Sequence, residues 1–152
     1  MTVEGMYHEE SVEIDATAED VYDTVSDLTR MGEWSPENRG GQWLDGGAGA
    51  VGDRFEGHNR VGEREWSVVA QVTRADRGSE FQFVTGDPAS PHVRLTYRMT
   101  GSSPTVLTEI WDVEQLPPTL ATLDAERLAA RARAVRDGMV ATVAAIRSTL
   151  ES

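Results

Sequence analysis

Two side chains stand where acid–base chemistry can be done. Glu109 lies between Leu107 and Trp111 in a strand-like segment and shares their face at a period of two. If that face is concave, the carboxyl sits among apolar groups. Desolvation then holds its proton, which suits a general acid or a proton donor to a carbonyl. His58, within Phe55-Glu56-Gly57-His58-Asn59, could serve as the base of an aldol-type cyclisation or dehydration. A plainer reading stands beside this one. Both groups point into water, or Glu109 pairs with an arginine of a neighbouring strand such as Arg94 or Arg98.

Other chemistries find less support. The three histidines, His8, His58 and His92, are scattered, with no His-Glu-x-x-His and no cysteine, so neither a metal nor another cofactor is expected. The absence of cysteine also excludes disulfides and thiolate nucleophiles. Composition leaves a Ser-His-Asp triad open, but no Gly-x-Ser-x-Gly elbow is present. Residues 38–52 are rich in glycine, yet they lack the Gly-Lys-Ser/Thr of a phosphate loop and precede no strong helix. A strand ending in a long turn is the expectation there.

Charge narrows the partners. The net charge is −12 and all fourteen basic residues are arginine. Such acidity argues against nucleic acid, whose phosphates need a basic footprint, and against anionic membrane surfaces. The apolar runs, such as 139–146, are too short to cross a bilayer. Residues 1–10 carry Glu4, Glu9 and Glu10 without a basic n-region and do not read as a secretory signal. With no cysteine, a cytoplasmic location is the expectation.

The elements that must position Glu109 and His58 are legible from periodicity. Leu128, Ala132, Val135, Met139, Val143, Ile146 and Leu150 recur at steps of three and four and predict a long helix over 123–150, with an N-cap near Asp124. At about 1.5 Å per residue it is about 40 Å long. Upstream, residues 7–14 alternate, with His8, Glu10, Val12 and Ile14 on one face. Thr17 then caps a short helix that buries Val21, Tyr22, Val25 and Leu28, and a second short turn holds Met31 and Trp34 before Ser35-Pro36. From 54 the chain reads strand, turn, strand: 54–60, 65–74, 80–85, 93–100 and 105–113, with loops at 61–63, 76–78, 86–91 and 101–104. The 152 residues suit one domain, 1–152, of the α+β class. A curved antiparallel sheet would hold the long C-terminal helix in its palm and leave a cavity between them.

Three segments carry a family resemblance that spans nearly the whole chain. They are residues 11–36 (Ser11-Val12-Glu13-Ile14 through Trp34-Ser35-Pro36), residues 51–59 with Trp66, and Val106-Leu107-Thr108-Glu109-Ile110-Trp111-Asp112. The sequence resembles the SRPBCC superfamily, the START/Bet v 1-like helix-grip proteins, and within it the polyketide cyclase/dehydrase-like branch. The resemblance implies a helix-grip fold and a cavity for a hydrophobic small molecule, aromatic, polyketide-like or lipid. It leaves three functions open: a metal-free cyclase/dehydratase, a non-catalytic carrier or sensor, and an Hsp90 co-chaperone-like interaction domain, because one fold hosts all of them. The superfamily also includes homodimers, although nothing in this sequence marks an interface. Trp34, Trp43, Trp66, Phe81, Phe83, Tyr97, Trp111, Val135 and Met139 are the expected wall of the cavity. For any one of them, ordinary core packing is the competing explanation.

Overall fold

The structure is a computed structural model and describes residues 2–152. Seven antiparallel strands form one sheet in the order β1-β7-β6-β5-β4-β3-β2. They are β1 (Tyr7–Ile14), β2 (Asn38–Trp43), β3 (Arg54–Val61), β4 (Arg64–Asp76), β5 (Glu80–Asp87), β6 (Ser90–Thr100) and β7 (Thr105–Val113). Strands β2 to β7 follow one another as a meander, and β1 returns to pair with β7. The sheet curls into a half-barrel and grips the long helix α3 (Ala125–Glu151).

The helices begin where capping chemistry places them. Thr17 Oγ1 accepts the Asp20 N–H at 3.1 Å and opens α1 (Ala18–Val25), whose first turn carries Glu19 and Asp20 at the positive end of the helix dipole. A 3₁₀ turn, Leu28–Glu33, follows and starts on the Asp27 carboxylate. Asp124 caps α3 by accepting the Arg127 N–H at 2.9 Å. A short helix α2 (Pro118–Ala121), absent from the sequence reading, fills the connection between β7 and α3.

In the glycine-rich stretch, β2 runs into a long turn whose amides serve the turn itself. Asp53 accepts the N–H groups of Ala48, Gly49 and Ala50 at 2.9–3.1 Å, which holds its carboxyl below the usual range. Gly41 is required by packing: a Cβ there would fall 2.2 Å from the Glu56 carbonyl oxygen and 2.6 Å from the Phe55 ring. The expected loop over 86–91 is instead a tight hairpin. Gly86 pairs with Pro91 and only Pro88-Ala89 turn, because an irregularity at Val84/Gly86 absorbs the proline within the ladder.

Two apolar clusters flank the palm of the sheet. The larger joins α1, the C-terminal half of α3 and the sheet through Ile14, Val21, Tyr22, Phe81, Leu107 and Ile146. The smaller joins Met6, Trp111 and Val113 to Ala132 and Met139 on the N-terminal half of α3. Between sheet and helix a space remains unfilled.

Candidate functional site

Alternation along the strands decides which side chains reach that space. On β6, Leu95, Tyr97 and Met99 point to the concave face, while Arg94, Thr96 and Arg98 point to the other. There Arg94 donates to Glu114 at 2.7 Å and to Gln82 at 3.0 Å, and Arg98 lies 3.5 Å from Glu80. Both arginines that were candidate partners for Glu109 are therefore engaged on the opposite face. Glu109 itself stands across from Tyr97 on β6 and across from Glu10 on β1.

The cavity measures about 1010 Å³. Trp66, Phe83, Leu95, Tyr97 and Trp111 form its sheet wall, and α3 supplies Val135, Gly138, Met139 and Thr142. It meets solvent where its lining is exposed, at Val61, Arg64, Thr119 and Ala134. Arg131 of α3 closes part of this rim. Its guanidinium forms a bidentate pair with Glu37 at 2.5 and 2.6 Å and lies 5.8 Å from the Trp66 ring, which also carries Arg64 at 5.4 Å.

Among the buried polar residues that line the cavity, Asn38, Thr142 and Glu109, the ionisable one is Glu109, which is 4% exposed. Burial pushes its carboxyl up to about 7, against the Tyr97 hydroxyl, whose hydrogen bond lowers it, and with the charge of Glu10, which raises it further. Oε1 of Glu109 has no hydrogen-bond partner. Burial and the adjacent carboxyl push the Tyr97 phenol well above its ordinary value, so this hydroxyl remains a donor. A carboxyl that is half protonated near neutrality, in a residue that lines the cavity and with one buried oxygen unpartnered, can donate a hydrogen bond or a proton to a bound carbonyl or hydroxyl.

Of the nine expected wall residues, Trp66, Phe83, Tyr97, Trp111, Val135 and Met139 line the cavity. Trp34, Trp43 and Phe81 do not. Trp34 is buried behind the 3₁₀ turn with Arg30 5.3 Å from its ring. Trp43 stacks edge-on against Phe55 at 5.3 Å. Phe81 lies in register with Tyr97, but Tyr22 of α1 meets it edge-on at 5.9 Å and plugs that end of the palm. His58 occupies the face opposite Glu109's. It lies 2.8 Å from Ser67 Oγ in a shallow surface recess with Arg39 and Glu65, because Phe55, Gly57 and Asn59 take the concave positions of β3. The two expected acid–base partners are thus separated by the sheet.

Residues that the sequence reading passed over also reach the site. Arg131, Glu37, Arg64 and Thr142 line it, and Glu10 and His8 adjoin it along β1. The alternation of β1 already put His8 and Glu10 on one face. What it lacked was the partner strand. Among the described residues, no three His, Asp or Glu side chains converge as a ligand set for a metal ion, and no helix is long and apolar enough to cross a membrane.

A family model described as polyketide cyclase/dehydrase and lipid transport matches residues 8–151. The chain belongs to that family. The Polyketide_cyc-like protein of Corynebacterium glutamicum is 31% identical, the match covering 95% of this chain and 91% of that one, with a TM-score of 0.67. Zhui aromatase/cyclase from Streptomyces sp. R1128 (16% identity, 95% and 93% coverage, TM-score 0.70) shares the fold. So does a START superfamily protein of Mycobacterium smegmatis (17%, 96% and 97%, TM-score 0.68). No curated protein matches. Membership in this polyketide cyclase/dehydrase and lipid transport family, together with the cavity, identifies a hydrophobic ligand-binding fold.

Proposed function

We propose that the protein binds an aromatic or polyketide-like molecule in the cavity under α3 and uses Glu109 as a general acid on it. The observation that carries this reading is the carboxyl in the apolar wall, pushed up to about 7 and with Oε1 unpartnered. A volume of about 1010 Å³ is at the upper end of small-molecule sites and accommodates several fused rings or a long acyl chain. The reaction that suits a lone carboxyl is dehydration of a β-hydroxy carbonyl compound. Glu109 gives its proton to the departing hydroxyl as the C–O bond breaks. The carboxylate so formed takes a proton from the adjacent carbon, so one water is lost and the acid is restored. Tyr97, held protonated and opposite Glu109 on β6, is the donor available to the carboxyl. His58 has no part in this scheme.

A carrier function is the second reading. It is favoured by the strand register, which sets Tyr97 and Glu10 opposite Glu109 and none of the other titratable groups that line the cavity, His92, Glu37, Arg54, Arg64 and Arg131. Native mass spectrometry of protein purified from its own host, with extraction of what is bound, tests the common part of both readings. A bound aromatic or acyl species is expected. An empty protein that also takes up no apolar dye would refute the cavity reading. An aromatic β-hydroxy ketone then separates the two: loss of water with the native protein, abolished in Glu109→Gln while binding persists, supports the enzyme. Binding without turnover by either protein leaves the carrier.

A further inference from the structure

Glu109 is not the only carboxyl on its rung of the sheet. The β1–β7 register puts Glu10 directly opposite it, and side chains opposite one another in an antiparallel pair point the same way with Cβ atoms about 5 Å apart. Two residues along β1, on the same face, His8 donates from Nε2 to Glu10 Oε1 at 2.8 Å. The His8 and Glu10 side chains are 28% and 27% exposed, whereas Glu109 is 4% exposed. An ion-capable pair therefore sits where the edge strand meets water, one position from a carboxyl sealed in the wall.

The surroundings leave Glu10 as the charge that acts on Glu109. From β6 the facing group is Tyr97, which is neutral, and Leu107 and Trp111 flank Glu109 on its own strand. Helix α3 contributes Met139 and Thr142 to the same space. Arg94 and Arg98, on the far face, are held by Glu114 and Glu80. A negative charge opposite an uncompensated, buried carboxyl opposes its ionisation, because two like charges at this separation in a poorly screened wall repel strongly. His8 restrains the Glu10 carboxylate through its hydrogen bond and so keeps that charge on the rung.

We propose that Glu10, held in place by His8, is the positioning residue of this site, presenting Glu109 to the ligand as a hydrogen-bond donor rather than as a carboxylate. The ligand class follows: the group lodged against the Glu109 carboxyl is an acceptor, a carbonyl or hydroxyl oxygen, and a ligand carboxylate is disfavoured there. This inference rests on the reading of Glu109 as an acid, and it adds a residue outside the cavity whose charge reinforces the protonation that burial sets.

The test is the titration of Glu109 followed by carbon-13 NMR of side-chain carboxyls, with Glu109→Gln assigning the resonance. In the native protein the midpoint is expected near 7. In Glu10→Gln, which keeps the shape and removes the charge, it should fall by about 0.5–1 pH unit and stay above the ordinary carboxylate range, because burial is the larger cause. Glu10→Asp keeps the charge and should restore the midpoint to within about 0.3 of a pH unit of the native one. His8→Gln retains a donor to Glu10 and should behave like the native protein. An unmoved midpoint in Glu10→Gln, or an equal fall in Glu10→Asp, overturns the inference, since packing alone would then explain the residue. A native Glu109 that titrates at its ordinary value overturns the functional reading instead, so the two failures are distinguishable.

Discussion

Glu109 makes the stability of the folded protein depend on pH in a direction opposite to that of most carboxylates. Its carboxyl rises from an ordinary 4.5 to about 7 on folding, principally through burial. Below pH 4.5 the group is protonated in both folded and unfolded chains and costs nothing. From pH 4.5 upward the unfolded chain gives up this proton while the folded chain still holds it, so stability falls until the folded carboxyl itself ionises near 7, where the loss levels off. At about 1.4 kcal/mol for each pH unit, the full loss by pH 8 is about 3 kcal/mol. Because the group is almost wholly buried, solvent screening does not reduce this figure much. Glu109→Gln removes the titration while keeping the volume, so the variant should match the native protein near pH 4.5 to within about 1 kcal/mol. At pH 8 it should exceed the native protein by about 3 kcal/mol, or about 6–12 °C in Tm for a domain of this size. Urea denaturation of both proteins at pH 4.5, 6, 7 and 8 measures the difference between the two curves, in which the titration of every other group cancels. Parallel curves across this range would show that Glu109 ionises freely when folded and would remove the basis for its role as an acid.

Three further perturbations probe what surrounds it. Arg131→Ala breaks the half-buried bidentate pair with Glu37 at the cavity rim and should cost about 1–2 kcal/mol in urea denaturation; a loss near zero would mean that the pair holds nothing. Gly138→Ala should stabilise α3 by about 0.5–1 kcal/mol, because the added Cβ meets only Pro36 at 4.0 Å, and a lowered Tm would contradict that open space. Ile146→Ala, at a fully buried position of the larger core cluster, should cost about 3 kcal/mol, and a loss below about 1 kcal/mol would show that the cluster collapses onto the gap.

The framework of the fold was legible because its signals are local. Thr17 and Asp124 fix helix starts by side-chain hydrogen bonds three residues long, and the stripe from Leu128 to Leu150 needs only its own period to declare a helix face. The site was legible in part because a strand's alternation separates its two faces without saying which face is concave. For β7 the apolar neighbours Leu107 and Trp111 point to the right face. For β3 no such marker exists: Phe55 and Gly57 share the palm with Asn59, and His58 falls on the other side. Phe81 could not be separated from Phe83 by sequence, since both face the palm and only the position of Tyr22 on α1 decides which one is covered. The opposition of Glu10 and Glu109 spans 99 positions and exists only once β1 closes against β7.

The cavity, too, is written in the helix, though beside the stripe that declares it. Ala134, Gly138 and Thr142 follow one another at steps of four and all line the open space. They form a row of small side chains adjoining the larger row of Val135 and Met139. A leucine-sized residue at any of the three would project into the palm and bury additional apolar surface, at about 0.8 kcal/mol for each methylene removed from water. Gly138 forgoes both that burial and about 1 kcal/mol of helix propensity. On the facing sheet the large aromatics Trp66, Phe83 and Trp111 stand back from this row rather than against it, so the gap is bounded by bulky walls on one side and small ones on the other. Packing for stability alone would interleave them. The open space, the buried acid that borders it and the half-buried clasp of Arg131 and Glu37 at its rim all forgo packing or solvation in the same place, as expected where an apolar guest completes the core.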